Sequence, residues 1–238
     1  MNEHSFRDAL VDAASAPYRQ AGRFAWHYAR GKVSIDPAYL GILRLGLIAP
    51  NARVLDLGCG QGLVAATLLA ADALSHRGEW PTGWPPAPTG VRVRGMELML
   101  RDVERARQAL ADRATIEQQD IRTADYGVAD AIIILDVLHY LSPSDQETVL
   151  ERVRTALPSG GALVLRVGDA GAGLPFRMSL WVDRIVTFAR GHRIAAMHCR
   201  ALSEWMALLE RLGFAVRAVP MSAGTPFANV LLVGRKGG

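Results

Sequence analysis

From residue 52 onward, short apolar runs alternate with longer stretches in which apolar and charged positions recur at helical spacing. ARVLDLG (52–58) is an apolar run closed by glycine and predicts a buried strand. QGLVAATLLAADAL (61–74) predicts a helix and VRVRGMEL (91–98) a second strand. MLRDVERARQALADR (99–113) predicts an amphipathic helix with charge pairs one turn apart. ATIEQQD (114–120), the β-branched ADAIIILD (129–136) and ALVLRVG (162–168) predict three further strands. SDQETVLERVRTAL (144–157) reads as a helix with Ser144 as N-cap and Glu147 at the capping-box position. LSEWMALLERLG (202–213) reads as a helix closed by Gly213, and FAVRAVP (214–220) and FANVLLVGR (227–235) as the last two strands. Their connection is short enough to require a hairpin, so one of them runs antiparallel to the rest.

Strands separated by helices of this length predict an α/β fold: a doubly wound sheet of seven strands, mostly parallel, covered on both faces. Ahead of it, residues 5–31 read as one or two helices and 36–48 as another, with Asp36 as N-cap and Pro37 in the first turn. The expected organisation is a helical cap at 1–50 and a ligand-binding domain at 51–238. Two stretches interrupt the alternation. SHRGEWPTGWPPAPTG (75–90) is a loop by composition, and Trp80 and Trp84 are expected to serve local packing or a partner surface. Residues 168–192 begin glycine-rich and turn helical, carrying Phe176, Arg177, Met178 and Trp181 where a lid over an apolar acceptor would be useful.

Composition narrows the class. The 238 residues are 50% hydrophobic and 21% charged, which excludes a disordered chain. Cys59 and Cys199 are too few for a disulfide scaffold or a four-cysteine zinc site, and no metal is expected. The net charge is +4, but the 27 basic residues, only two of them lysines (Lys32 and Lys236), are interleaved with acids. That scatter speaks for a solvated surface and against a nucleic-acid partner. The stretch with Arg190, His192, Arg193, His198 and Arg200 is a solvated face or a patch that steers an anion. The polar N-terminus and the short AIIILDVLHYL run, broken by Asp136 and His139, predict a cytoplasmic protein without a membrane span.

The sharpest chemical signal is VLDLGCGQG (54–62). A strand ends, Gly58, Gly60 and Gly62 follow, and a helix begins, so backbone N–H groups and a helix N-terminus face a crevice. A dinucleotide fingerprint requires G-x-G-x-x-G, but Leu63 stands at the third glycine position, which disfavours a nicotinamide dehydrogenase. Acids recur at strand ends: Asp56, Glu97, Asp120 and Asp136. Each alone is equally an ordinary strand-end cap.

Together these motifs resemble the class I S-adenosylmethionine-dependent methyltransferases over roughly residues 36–235. The resemblance implies that the loop residues Asp56, Gly58, Cys59, Gly60 and Gly62 bind the cofactor. It assigns Glu97, followed by Leu98, to the ribose hydroxyls and Asp120–Ile121 to the adenine. Asp136 and Val137 fall in the fourth-strand motif, and LPSGGALVLRV (157–167) matches the turn before the fifth strand. The sequence departs from the motifs of nucleic-acid amino-methylating and cytosine C5 enzymes, because DVLH (136–139) follows the fourth strand and no proline precedes either cysteine. The implied activity is methylation of a small molecule at an aromatic or carrier-bound hydroxyl or carboxyl. Alternatives are a non-catalytic cofactor-binding partner of the same fold and a protein or N-methyltransferase. The segments ARGKVSIDPAYLGIL (29–43) and TPFANVLLVGRK (225–236) resemble bacterial methyltransferases of that small-molecule kind, whose acceptor is free or attached to a carrier protein. Methyl transfer requires in-line alignment, and a hydroxyl acceptor benefits from a base. His139, three residues past Asp136, and its neighbour Tyr140 are the candidates, with packing beside the cofactor as the other role for His139. The N-terminal helices add Tyr18, His27, Tyr28, Arg30 and Lys32 as surface or cap residues. A monomer and a homodimer both fit the sequence.

Overall fold

The structure is a computed structural model that describes residues 2–168, 197–221 and 229–237. The expected lid from residue 169, together with Arg190, His192 and Arg193, lies outside the described residues. Three helices come first: α1 (Glu3–Ser15), α2 (Arg23–Ile35) and α3 (Pro37–Arg44). Then follow β1 (Arg53–Leu57), α4 (Leu63–His76), β2 (Arg92–Glu97), α5 (Leu100–Leu110), β3 (Thr115–Gln118) and β4 (Ala131–Leu135). After these come α6 (Pro143–Ala156), β5 (Ala162–Gly168), α7 (Leu202–Arg211), β6 (Phe214–Pro220) and β7 (Asn229–Lys236).

Among the described residues the seven strands follow the order β3-β2-β1-β4-β5-β7-β6. β1 is parallel to β2 and β4, and β2 to β3. β7 runs antiparallel to both β5 and β6, so the expected hairpin and the expected antiparallel strand coincide. The chain divides into two compact units, Met1–Ile133 and Ile134–Gly238.

In the first unit the sequence pattern translates directly into burial. α5 buries Val103, Ala106, Ala109 and Leu110 on one side, as an amphipathic helix must. α4 is apolar nearly all round and is buried along most of its length. α3 starts as its sequence signals: Asp36 accepts from the Ala38 N–H at 3.0 Å, and Pro37 occupies the first helical position. The helix stops at Arg44, short of the expected residue 48. The Trp–Pro loop packs locally. Phe6 of α1, fully buried, meets the rings of Trp80 and Trp84 edge-on at 5.2 and 5.3 Å, and Trp80 Nε1 donates to the Pro85 carbonyl at 2.9 Å.

In the second unit β5 is buried along its length and carries Arg166 in its interior. One boundary differs from expectation. α6 is capped by Ser142, whose Oγ accepts from the Asp145 N–H at 3.1 Å, because Pro143 fits the first helical position and needs no donor there. Ser144 sits inside the helix with its hydroxyl 3.0 Å from that of Ser142. No helix among the described residues is long and apolar enough to cross a membrane.

The aromatic cluster makes a stability prediction. Phe6→Ala is expected to lower the unfolding free energy by about 3–5 kcal/mol in urea titrations. A loss below about 1 kcal/mol would show that the Trp80–Trp84 loop does not depend on α1.

Candidate functional site

The loop between β1 and α4 must turn from strand to helix in five residues. Gly58, Gly60 and Gly62 make this possible with φ of 72°, 54° and 76°, all left-handed. The loop is pressed onto the end of β2. Gly58 and Cys59 donate their N–H groups to the Met96 carbonyl at 2.8 and 3.0 Å, and Gly62 closes back on the Cys59 carbonyl at 2.8 Å. The fit depends on Gly95: a Cβ there would lie 2.7 Å from Cys59 Sγ and 2.9 Å from Ile116 Cδ1. Gly95 was not singled out from the sequence, although a glycine inside a strand pattern was an available signal of such a close approach.

Glu97 joins loop and strand. Its two oxygens accept the N–H groups of Gly60 and Met99, each at 2.9 Å. A carboxylate offers about four lone-pair sites, so this one keeps capacity for further donors. A Cβ at Gly60 would meet nothing within 4 Å, so the loop backbone fronts open space there. Leu98, next to Glu97 in the chain, is 56% exposed. α4 begins without a side-chain cap, which leaves its first N–H groups available.

Behind the loop the polar groups are buried. Tyr18, from the 3-10 turn Ala16–Arg19, donates its hydroxyl to the Gln61 carbonyl at 2.6 Å. Gln61 Nε2 donates to Asp102 of α5 at 3.1 Å. Asp56 is 2% exposed, and its Oδ2 has no hydrogen-bond partner. Burial and the neighbouring Glu97 push its carboxyl up to about 8. Burial, with Asp56 and Glu97 nearby, likewise raises the Cys59 thiol, which is therefore un-ionised and unreactive at neutral pH.

Two of the expected residues in this unit have other company. Asp120 is held by Arg122, whose Nε lies 3.0 Å from both carboxylate oxygens and whose backbone N–H donates at 2.9 Å. Those bonds hold its carboxyl below the usual range. Ile121 is buried and accepts the Tyr126 hydroxyl at 2.5 Å through its carbonyl. A cavity of about 230 Å³ lies at the other ends of the strands, lined by Arg53, Arg92 and Arg94 among others. Asp130 engages Arg53 there, and Glu117 engages Arg94.

In the second unit Asp136 takes a left-handed conformation, φ 58°, directly after β4. Its carboxylate pairs with the buried Arg166, with Nε to Oδ1 at 2.8 Å and Nη2 against Oδ2. An arginine within ALVLRVG was the available signal for this pair, since a charge in a buried strand needs a partner. Val137 leads into a 3-10 turn, Leu138–Tyr140. The ring of His139 lies 4.1 Å from that of Tyr140, and its buried Nε2 has no partner. Desolvation keeps the imidazole below its ordinary value, with the Asp136 charge opposing, so the ring is neutral near pH 7. Gln146 was not anticipated. Its buried Nε2 reaches the carbonyls of Leu138 and His198 at 3.0 and 2.8 Å, and its Oε1 accepts from Arg200 at 2.8 Å. His198 in turn donates its backbone N–H to the His139 carbonyl at 2.8 Å. Arg200 thus ties local structure together and also pairs with Glu147 at 2.8 Å.

A family model described as "Methyltransferase domain" matches residues 25–219. The carboxy-S-adenosyl-L-methionine synthase of Chromohalobacter salexigens is 34% identical over 182 residues, covering 69% of this chain and 61% of that protein. The chain thus spans about three-fifths of the length of this curated relative. An O-methyltransferase family protein from Burkholderia thailandensis superposes with a TM-score of 0.64 at 17% identity, covering 92% of this chain and 62% of the other. Magnesium protoporphyrin IX methyltransferase from Synechocystis PCC 6803, solved with bound SAH, gives 0.59 at 18% identity over 99% and 100% of the two chains. These two likenesses concern the fold.

The buried Asp56 has a measurable signature. Its folded-state value lies above the unfolded value near 3.9, so the folded protein holds the extra proton between the two. Its contribution to stability is therefore complete below pH 4 and is lost as the pH rises toward 8. Asp56→Asn is expected to flatten the decline in unfolding free energy between pH 5 and 8, by up to about 1.4 kcal/mol per pH unit. Parallel slopes for the two proteins would show that Asp56 is ionised throughout.

Proposed function

The chain belongs to the methyltransferase-domain family, and we propose that it transfers the methyl group of S-adenosylmethionine to an oxygen of a small acceptor molecule. The observation that carries this reading is the Glu97 carboxylate. It is bonded to the N–H of Gly60, beside a stretch of loop backbone that fronts open space. That arrangement suits a ligand with a vicinal diol and a positive charge: Glu97 accepts from hydroxyls, and the buried Asp56 behind the loop would favour a cation once ionised.

When bound, S-adenosylmethionine supplies an electrophilic methyl group on a sulfonium. The protein's task is then alignment and exclusion of water. We assign Asp56, Gly58, Cys59, Gly60, Gly62, Glu97 and Leu98 to the cofactor, with Asp120, Ile121, Asp136 and Val137 as the family motifs place them. For Asp120 this role requires the adenine amine to share a carboxylate already bonded to Arg122. His139 is the proposed base: a neutral ring with a buried, unpartnered Nε2 can take the proton from an acceptor hydroxyl as the O–CH3 bond forms. Tyr140 beside it contributes an aromatic surface to an aromatic or carrier-bound acceptor.

A second reading is favoured by the 34% identical relative, whose name describes a synthase of carboxy-S-adenosyl-L-methionine. On that reading the chain modifies the cofactor and no acceptor is methylated. Mass spectrometry separates the two. Incubation with S-adenosylmethionine and a panel of phenols and carboxylic acids is expected to yield a methylated acceptor and S-adenosylhomocysteine in equal amounts. A cofactor that gains a carboxyl group in the presence of a carboxylated donor would establish the second reading.

Two substitutions test the residue roles. Glu97→Ala is expected to weaken S-adenosylhomocysteine binding by about 1–3 kcal/mol in isothermal titration. His139→Ala is expected to slow turnover by about 10²-fold or more with cofactor affinity unchanged. An equal loss of affinity and turnover would make His139 a packing residue.

A further inference from the structure

Asp56 is placed unlike the other expected acids. Glu97 accepts two backbone N–H groups, Asp120 is held by Arg122, and Asp136 is held by Arg166. Asp56 is buried, and one of its oxygens has no donor within reach. Among the described residues, the titratable groups acting on it bring no compensating charge. Glu97 on β2 is an acid whose charge opposes ionisation of Asp56. Cys59 in the loop is un-ionised, and Tyr18 from the 3-10 turn is pushed further up by burial. Asp102 of α5 acts on Cys59 as another negative charge, and the Arg113 guanidinium acts on Tyr18. An ionised carboxylate with an unpaired, desolvated oxygen is costly, so the ligand-free site favours the neutral acid.

We propose that Asp56 is a specificity-determining residue that distinguishes the sulfonium form of the cofactor from its demethylated thioether product through a proton. With the loop empty, Asp56 holds that proton. Binding of the cationic sulfonium cofactor stabilises the carboxylate, the O–H bond of Asp56 breaks, and the proton passes to the solvent buffer. The thioether product carries no positive sulfur, so Asp56 keeps or regains its proton when the product occupies the site. Loss of the methyl cation during transfer thus removes the charge that held Asp56 ionised, and reprotonation from solvent weakens the match between site and product. The inference rests on the proposed cofactor and concerns the electrostatics of a single side chain.

Isothermal titration tests it with the full chain. S-adenosylmethionine and S-adenosylhomocysteine are titrated at pH 7 in phosphate and in Tris, whose ionisation enthalpies differ widely. The dependence of the observed enthalpy on the buffer counts protons released. The sulfonium lowers the α-amino group of S-adenosylmethionine relative to that of S-adenosylhomocysteine, so the amine titration of each free ligand is measured without protein and subtracted, in the buffer comparison and across the pH series alike. S-adenosylmethionine is expected to release up to about one proton more than S-adenosylhomocysteine. Asp56→Asn is expected to abolish that difference. In the wild-type protein, with no variant needed, the preference for S-adenosylmethionine over S-adenosylhomocysteine is expected to rise on the order of tenfold or more from pH 6 to pH 9. Binding of both ligands with equal proton release, or a preference that does not change with pH, overturns the inference and leaves the cofactor assignment standing. Binding of neither ligand overturns the cofactor assignment itself, and this inference with it.

Discussion

The first unit is organised by one geometric demand: the backbone after β1 must turn back against the end of β2 before α4 can start. Three left-handed glycines allow the turn, but they do not hold it. It is held by the Met96 carbonyl, which receives two loop N–H groups, and by Glu97, which receives a third. Gly95 then has to be small so that Cys59 can lie on the sheet. Several polar residues are placed relative to this turn. Asp56 ends the strand that enters it, Gln61 sits within it, and Tyr18 reaches it from the N-terminal helices.

The two units meet the problem of a buried charge in different ways. In the second, the buried Arg166 is paired with Asp136, to which its Nε and Nη2 both donate. In the first, Asp56 Oδ2 has no hydrogen-bond partner among the described residues, and burial with Glu97 nearby favours neutralisation by a proton over pairing. The first solution fixes geometry. The second leaves a group whose charge responds to what binds beside it.

Much of the fold was legible because the strands are short apolar runs with clear stops, and because α5 and α6 carry one-sided patterns. The antiparallel end of the sheet followed from the brevity of a connection. The N-cap of α6 was misplaced by two residues, since two serines flank Pro143 and only the geometry of proline decides between them. In the site, the Gly-rich loop stood out by its spacing, and Glu97 only as an acid at a strand end to which the resemblance gave a role. The bonds of Asp120 to Arg122 and of Asp136 to Arg166 were not legible, because the first is a side-chain turn within an exposed segment and the second joins residues 30 positions apart. Tyr18 stood out only as one aromatic among several, yet its hydroxyl meets the loop 43 residues away.

Asp136 shows where such a protein resists improvement. A left-handed backbone at a residue with a side chain costs about 1 kcal/mol that a glycine would not incur. A search for thermostable variants would therefore be drawn to glycine at this position. That exchange would strand the Arg166 guanidinium in the core without its carboxylate, so the local backbone gain would be outweighed by the loss of a buried ion pair. Engineering for robustness has to treat residues 136 and 166 as one heritable unit, changed together or not at all.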